Sequence, residues 1–352
     1  MLLEGLQLPL TTPFYPDGRL NLRKLEHNAD RYSKTPVAGF VVLSEPGEPT
    51  MLSEEETRQT LRSVMDAAAA EKVLMAGVSR DSVVGTVDLA EYAAGLGYDA
   101  VLVKRPSFLR LGLRGERTRE LLTYFQVVAD RCALPVVLCS ASEEQLPTEV
   151  VIELAAHPRI IGLVDGAGGR ERFEWLKSKT SAVKQDVTVT PVFAAVTGRM
   201  LSRGEDAVAG MLISADTLTG GGAALAVAAP RATAKTRTRV VGFQMLAGST
   251  VGMLEGLRAG AVGVAPAFAA CAPQACYEVL AAWKDGDEGL AEEKQVRLRG
   301  VAERVEAGLG VPGIKFGCDL NGYYGGVGRL PLLPLTGEER GEVEALMQGL
   351  RN

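Results

Sequence analysis

Aromatic residues and histidine are scarce in this 352-residue chain: Phe, Trp and Tyr together make up 5%, and histidine occurs twice. His27 and His157 lie too far apart in sequence to suggest a metal cluster, and each reads as a helix-surface residue. Cysteine is also sparse. Cys132, Cys139, Cys271, Cys276 and Cys318 are odd in number and lack Cys-x-x-Cys spacing, which argues against a disulfide framework or a structural zinc site. No charge of one sign dominates: 38 Lys and Arg stand against 43 Asp and Glu, a net charge of −5. These charges are spread along the chain, so nucleic acid is not an expected partner. Long hydrophobic runs are missing too. The weakly polar, Ala-rich stretch at residues 223–230 is too short to cross a bilayer. The amino terminus carries no basic region ahead of an apolar core. These absences lead us to expect a soluble, cytoplasmic protein with no membrane partner.

Glycine is plentiful, at 40 residues, and 47% of the chain is apolar, an ordinary composition for a folded protein. The length fits two domains of about 150 residues each, or one α/β barrel of about 250 residues with additions. Short apolar runs alternate with amphipathic ones, the pattern of successive βα units. The runs that read as strands are Leu6–Thr12, Gly39–Leu43, Val73–Val78, Ala100–Lys104, Pro135–Cys139, Ile160–Asp165, Val240–Leu246 and Ala261–Pro266. Ser53, followed by Glu54, Glu55 and Glu56, is a helix start, as is Asp81-Ser82. Repeats of this kind close into a (β/α)8 TIM barrel with its working mouth at the strand C-termini. An open doubly wound sheet is the alternative, but the first strand lacks a Gly-x-Gly-x-x-Gly turn.

Two regions exceed a minimal barrel. Residues of about 182–239 form an insertion after the sixth helix, inside a barrel spanning 1–272. Residues 273–352 supply the last barrel helix and a helical carboxyl-terminal extension. Within the insertion, Thr219-Gly220-Gly221-Gly222 is not followed by Gly-Lys-[Ser/Thr], so it is no P-loop and no cofactor is implied.

Several ordered motifs resemble the dihydrodipicolinate synthase and N-acetylneuraminate lyase family of class I aldolase-type barrels. They are Leu10-Thr11-Thr12-Pro13-Phe14 with Asp17-Gly18, Gly47-Glu48 before Leu52-Ser53, Ile161-Gly162-Leu163, Gly260-Ala261-Val262-Gly263-Val264, Gly313-Ile314-Lys315 and the run from Arg329 to Leu335. The resemblance implies a lyase chemistry in which a lysine at the end of the sixth strand forms an imine with a 2-oxo acid. It also implies homodimers or homotetramers.

The residues that carry this chemistry in the family are replaced here. Val164 holds the lysine position and Cys139 that of the proton-shuttling tyrosine. Ser44-Glu45-Pro46-Gly47-Glu48 stands where the family reads Gly-Thr-Thr-Gly-Glu, and Ser107-Phe108 stands where a tyrosine pair is expected. Four concerted changes argue against the family reaction.

New charges accompany the losses. Lys104 and Arg105 end the fourth strand, so one of them faces the mouth and the other the helices. Lys104 could be a relocated amine, Arg105 a carboxylate clamp, or either a rim cation paired to an acid. Asp165 reads as a general base, a cation ligand or a cap for the turn that follows. Glu45 and Glu48 could form an acid–base pair or a cation site; by the resemblance Glu48 is the loop glutamate and reads as bonding to loop backbone, while Glu45 is new and would repel an anionic 2-oxo acid. Cys139 is a nucleophile only if a neighbour makes it a thiolate; otherwise it is a small buried apolar group. Lys315 reads as a packing or ion-paired lysine. The catalytic candidates are therefore Lys104, Asp165 and Glu45, and the binding candidates are Ser44, Glu48, Arg105, Cys139 and Val164. The expected ligand is a small carboxylate or 2-oxo acid. The alternative is an active lyase or aldolase working through Lys104, or one assisted by acid–base or metal chemistry.

Overall fold

A computed structural model describes residues 1–109, 117–141, 145–166, 169–202 and 235–350. Eight parallel strands close a barrel: β1 (Gly5–Pro9), β2 (Gly39–Val42), β3 (Val73–Gly77), β4 (Ala100–Lys104), β5 (Val136–Ser140), β6 (Ile160–Asp165), β9 (Gln244–Ala247) and β10 (Gly263–Val264). Around them lie α1 (Leu22–Ser33), α2 (Glu54–Ala67), α3 (Val83–Leu96), α4 (Thr118–Arg131), α5 (Thr148–Ala155), α6 (Arg170–Lys179), α7 (Met253–Arg258) and α8 (Pro273–Lys284). The tail adds α9 (Glu288–Ala302), α10 (Gly310–Leu320) and α11 (Gly337–Met347). This is the (β/α)8 architecture read from periodicity, with its helical extension.

Local chemistry fixes the helix starts. Ser53 and Glu56 close a reciprocal capping box at α2, and Ser82 Oγ accepts the Gly85 N–H at α3. One apolar core fills the space between strands and helices; a second fills the barrel interior with Val41, Met75, Leu102, Val137, Val164 and Leu246. His27 is an exposed residue of α1, as expected, whereas His157 lies just past α5, half-buried and 3.1 Å from Asp130.

The insertion corrects the seventh strand. The run Val240–Leu246 is two strands, separated at Gly242-Phe243. Its first part belongs to β8 (Arg237–Val241), which pairs antiparallel with β7 (Gln185–Val189), and only β9 enters the barrel. This hairpin sits at the N-terminal ends of the strands: Gln185 donates to the Ile160 carbonyl at 3.2 Å, and Arg239 pairs with Glu4 at 2.8 Å. From there the chain reaches the foot of β3 and β4, where the Gly198 N–H meets Asp99 Oδ1 at 3.1 Å and Arg199 Nη1 meets the Ala68 carbonyl at 3.1 Å. The described part of the insertion thus lies on the face opposite the mouth. The Gly-rich stretch at 219–222 and the weakly polar run at 223–230 lie outside the described residues. Cavities of about 390 and 540 Å³ open on this N-terminal face, away from the strand ends where such barrels do chemistry.

Candidate functional site

On β4, Ala100 and Leu102 face the barrel interior while Val101 and Val103 face the helices. Strand alternation therefore turns Lys104 inward and Arg105 outward. The parallel register aligns Lys104 with Cys139, Cys139 with Val164, and Val164 with Leu246. Cys139, Val164 and Leu246 all pack with the interior cluster. Adjacent strands thus present an ammonium, a thiol and two aliphatic side chains in one inward row. Arg105 is 3% exposed, and its Nη1 is directed to the Gln145 carbonyl. Cys139 is half-buried, whereas the other cysteines are fully buried; burial pushes the Cys318 thiol up to about 12.

Asp165 points the other way. Its carboxylate, fully buried, takes Arg172 Nε at 2.6 Å, and Arg172 Nη2 reaches the Leu146 carbonyl at 2.7 Å. The carboxylate ties β6 to α6 and to the segment before α5, and it stands outside the inward row.

The loop after β2 begins and ends in left-handed backbone, with φ of 63° at Leu43 and 52° at Glu48. Neither residue is glycine, so the loop holds strain that its surroundings must offset. Gly77 makes the first turn possible, since a Cβ there would lie 2.2 Å from the Leu43 carbonyl oxygen. Ser44 is half-buried, and its hydroxyl has no hydrogen-bond partner among the described residues. Glu45 is exposed, but Glu48 is buried and pairs with Lys315. Lys315 also donates to the Val327 carbonyl at 2.8 Å and lies 4.5 Å above the Phe14 ring. Glu48 Oε2 accepts the Arg329 N–H at 2.9 Å. Glu45 and Glu48 are therefore divided between solvent and the tail, which corrects the paired role read from their spacing. Lys315 is the ion-paired lysine expected.

One carboxylate at the mouth was missed. Glu306 lies in a π-helical turn, Glu303–Gly308, and its Oε2 accepts the Thr250 hydroxyl and, at 3.3 Å, the Phe268 N–H. Thr250 follows β9 and Phe268 follows β10, so the tail sends this acid to the C-terminal rim of the barrel. Burial raises its pKa, and the Glu45 carboxylate adds to the effect. A signal did exist in the sequence: Leu298, Ala302 and Glu306 recur at helical spacing, and the first two are buried, so an acid interrupts an apolar stripe. Among the described residues, no group of three or more His, Cys, Asp or Glu could hold a metal ion. Nor is any described helix long and apolar enough to cross a membrane.

A family model for dihydrodipicolinate synthetases matches residues 2–213 and 227–350. The chain belongs to the dihydrodipicolinate synthetase family. A 4-hydroxy-tetrahydrodipicolinate synthase from Acidiphilium cryptum (strain JF-5) is 25% identical over 350 residues, covering 99% of this chain and 98% of that protein. An L-threo-3-deoxy-hexylosonate aldolase from Hypocrea jecorina is 32% identical over 167 residues, covering 45% of this chain and 52% of that one. Among solved structures, a dihydrodipicolinate synthase from Bacillus anthracis has a TM-score of 0.77 at 19% identity, with 100% of both chains covered. An N-acetylneuraminate lyase from Mycoplasma synoviae has a TM-score of 0.73 at 17% identity, covering 99% of this chain and 97% of that one. At such identities the structural likeness speaks for the fold alone.

Proposed function

We propose that this family member has lost imine formation through β6 and binds a small carboxylate or carbonyl compound at the barrel mouth. The observation that carries the reading is the inward row of Lys104, Cys139, Val164 and Leu246. By resemblance, Val164 occupies the place of the amine and Cys139 that of the tyrosine, and neither supplies the chemistry of the group it replaces. Lys104 gives the row one cation, which suits the carboxylate of a small anion.

Chemistry of the kind named for the synthase and aldolase relatives would need an amine elsewhere. One observation favours that second reading: Lys104 faces the same interior as Val164, two strands away. It would then be a lyase or aldolase with a relocated imine. Glu48 and Asp165 give little support to an acid–base alternative, since each carboxylate is committed to a cation.

Borohydride reduction with pyruvate and a panel of 2-oxo acids, read by intact mass, separates the two. The expected result is no adduct, together with calorimetric binding of at least one panel member that Lys104→Met weakens about tenfold, the loss of one charge-assisted hydrogen bond. An adduct mapped to Lys104 would replace this reading with the second one. We further propose a cytoplasmic homodimer or homotetramer, for which sedimentation at a monomer mass would be the contrary result.

A further inference from the structure

We propose that Glu306 is a ligand-contacting acid of the barrel mouth, its carboxyl offering a hydrogen bond to the small carboxylate or carbonyl compound bound there. The inference rests on the binding role proposed above and adds to it a residue from outside the barrel. Three loops on the C-terminal rim converge on this side chain. Its Oε2 is fixed by the Thr250 hydroxyl after β9 and the Phe268 N–H after β10, and Glu45, from the loop after β2, acts on it electrostatically. The Thr250 hydroxyl and the Phe268 N–H both fall on Oε2, and the Thr250 backbone also acts on the carboxyl as a hydrogen-bond donor. A π-helical turn delivers the group, a local irregularity that recurs at functional sites.

The position across the barrel is informative. In the strand order, β4 lies four places from β10, so Lys104 and Glu306 approach the mouth from opposite sides. A carboxylate held by Lys104 would turn its other oxygen-bearing end toward Glu306. A neutral carboxyl can donate to that end, whereas an ionised one would repel it.

Burial and the Glu45 carboxylate favour the neutral carboxyl, against the hydrogen bonds from Thr250 and Phe268, which favour its charged form. Glu45 raises its pKa, and Cys271 and Cys276, whose thiols are themselves pushed up by burial, face it from the turn after β10 and from α8. On α10, Lys315 is committed to Glu48. On α9, the neutral Gln295 amide bonds the Thr250 and Val251 carbonyls, and Arg299 is exposed. On its own turn, Arg304 is paired to Glu342 at 2.7 Å.

The test is calorimetric titration of pyruvate, and of any other panel member that binds, into the full chain and its Glu306→Gln and Glu306→Ala variants, from about pH 5 to pH 8. Glutamine keeps an acceptor for Thr250 and Phe268 and a neutral donor for the ligand, so both variants can be compared in folded protein. Wild-type affinity is expected to fall about tenfold per pH unit once pH exceeds the carboxyl's pKa. The Gln variant is expected to bind with a flat profile, and the Ala variant weakly throughout. If the Gln variant keeps the wild-type profile, or the Ala variant binds like wild type, Glu306 only pins the tail and the inference is wrong, while the binding role stands. If wild type binds no member of the panel, the binding role fails, and this inference with it.

Discussion

Lys315 and Glu48 form an ion pair closed to water, with side chains 0% and 2% exposed. The pair joins α10 of the tail to the strained loop at the mouth, and burial lowers the lysine's pKa. Breaking one partner of such a pair leaves an uncompensated buried charge, at a cost of about 3–5 kcal/mol. Lys315→Met and Glu48→Gln should each destabilise the protein by that amount in urea unfolding, and the double variant should recover much of the loss. Additive losses in the double variant would mean that the two side chains act separately.

Arg329 gives the same interface a pH dependence. It pairs with Glu56 at 2.7 Å and holds that carboxyl down at about 2, against an ordinary value of 4.5. A lowered carboxyl pKa contributes stability above the unfolded value, and that contribution is lost as pH falls through the folded one. The pair is partly open to solvent, so a contribution of about 1 kcal/mol is reasonable. Glu56→Gln should therefore be less stable than wild type at neutral pH, and the gap should close as pH drops from 4.5 toward about 2. A gap of constant size across that range would show that the charge on Glu56 contributes nothing.

These two contacts also show how much of the site could be read in the sequence. The strands β4 and β6 have the bounds that their apolar runs suggested, because in each a charged residue closes a short run. The run across Val240–Leu246 misled because hydrophobicity continues through Gly242-Phe243 while the chain leaves one sheet for another. Period-2 alternation, which is local, puts one of Lys104 and Arg105 at the mouth, and the inward packing of Ala100 and Leu102 makes it Lys104. The fate of Glu48 was not local: its bond to the Arg329 N–H spans 281 positions, and nothing in the loop's own residues says that the tail folds back over it. Glu306 escaped for the same reason, since its partners follow β9 and β10.

Asp165 and Arg172 lead to a different expectation. The carboxylate is fully buried and faces away from the inward row. Arg172→Ala should cost about 3–5 kcal/mol by stranding that charge, and Asp165→Asn should also lower stability. Neither change should alter pyruvate affinity by more than about twofold, as expected of positions with no contact to the ligand. Calorimetry on the folded Asp165→Asn protein is the check, and a tenfold loss of affinity would return Asp165 to the site.

Val164 offers the most direct test of what the inward row has lost. It is 9% exposed, in register with Cys139 and Leu246, so a lysine placed there would extend its amine into the same mouth that Lys104 faces. The longer side chain should cost about 1–3 kcal/mol through overpacking, which the barrel can bear if the amine reaches solvent at the rim. A lysine in an apolar surround has a lowered pKa and is the more nucleophilic for it. Val164→Lys should therefore trap pyruvate under borohydride where wild type does not, with the adduct at position 164. It should show no turnover, because Cys139 cannot shuttle the proton as a tyrosine would. Turnover in this variant would mean that the rest of the row is still competent and that the missing lysine alone silences the site. No adduct in a folded variant would mean that the mouth no longer admits a 2-oxo acid to this wall.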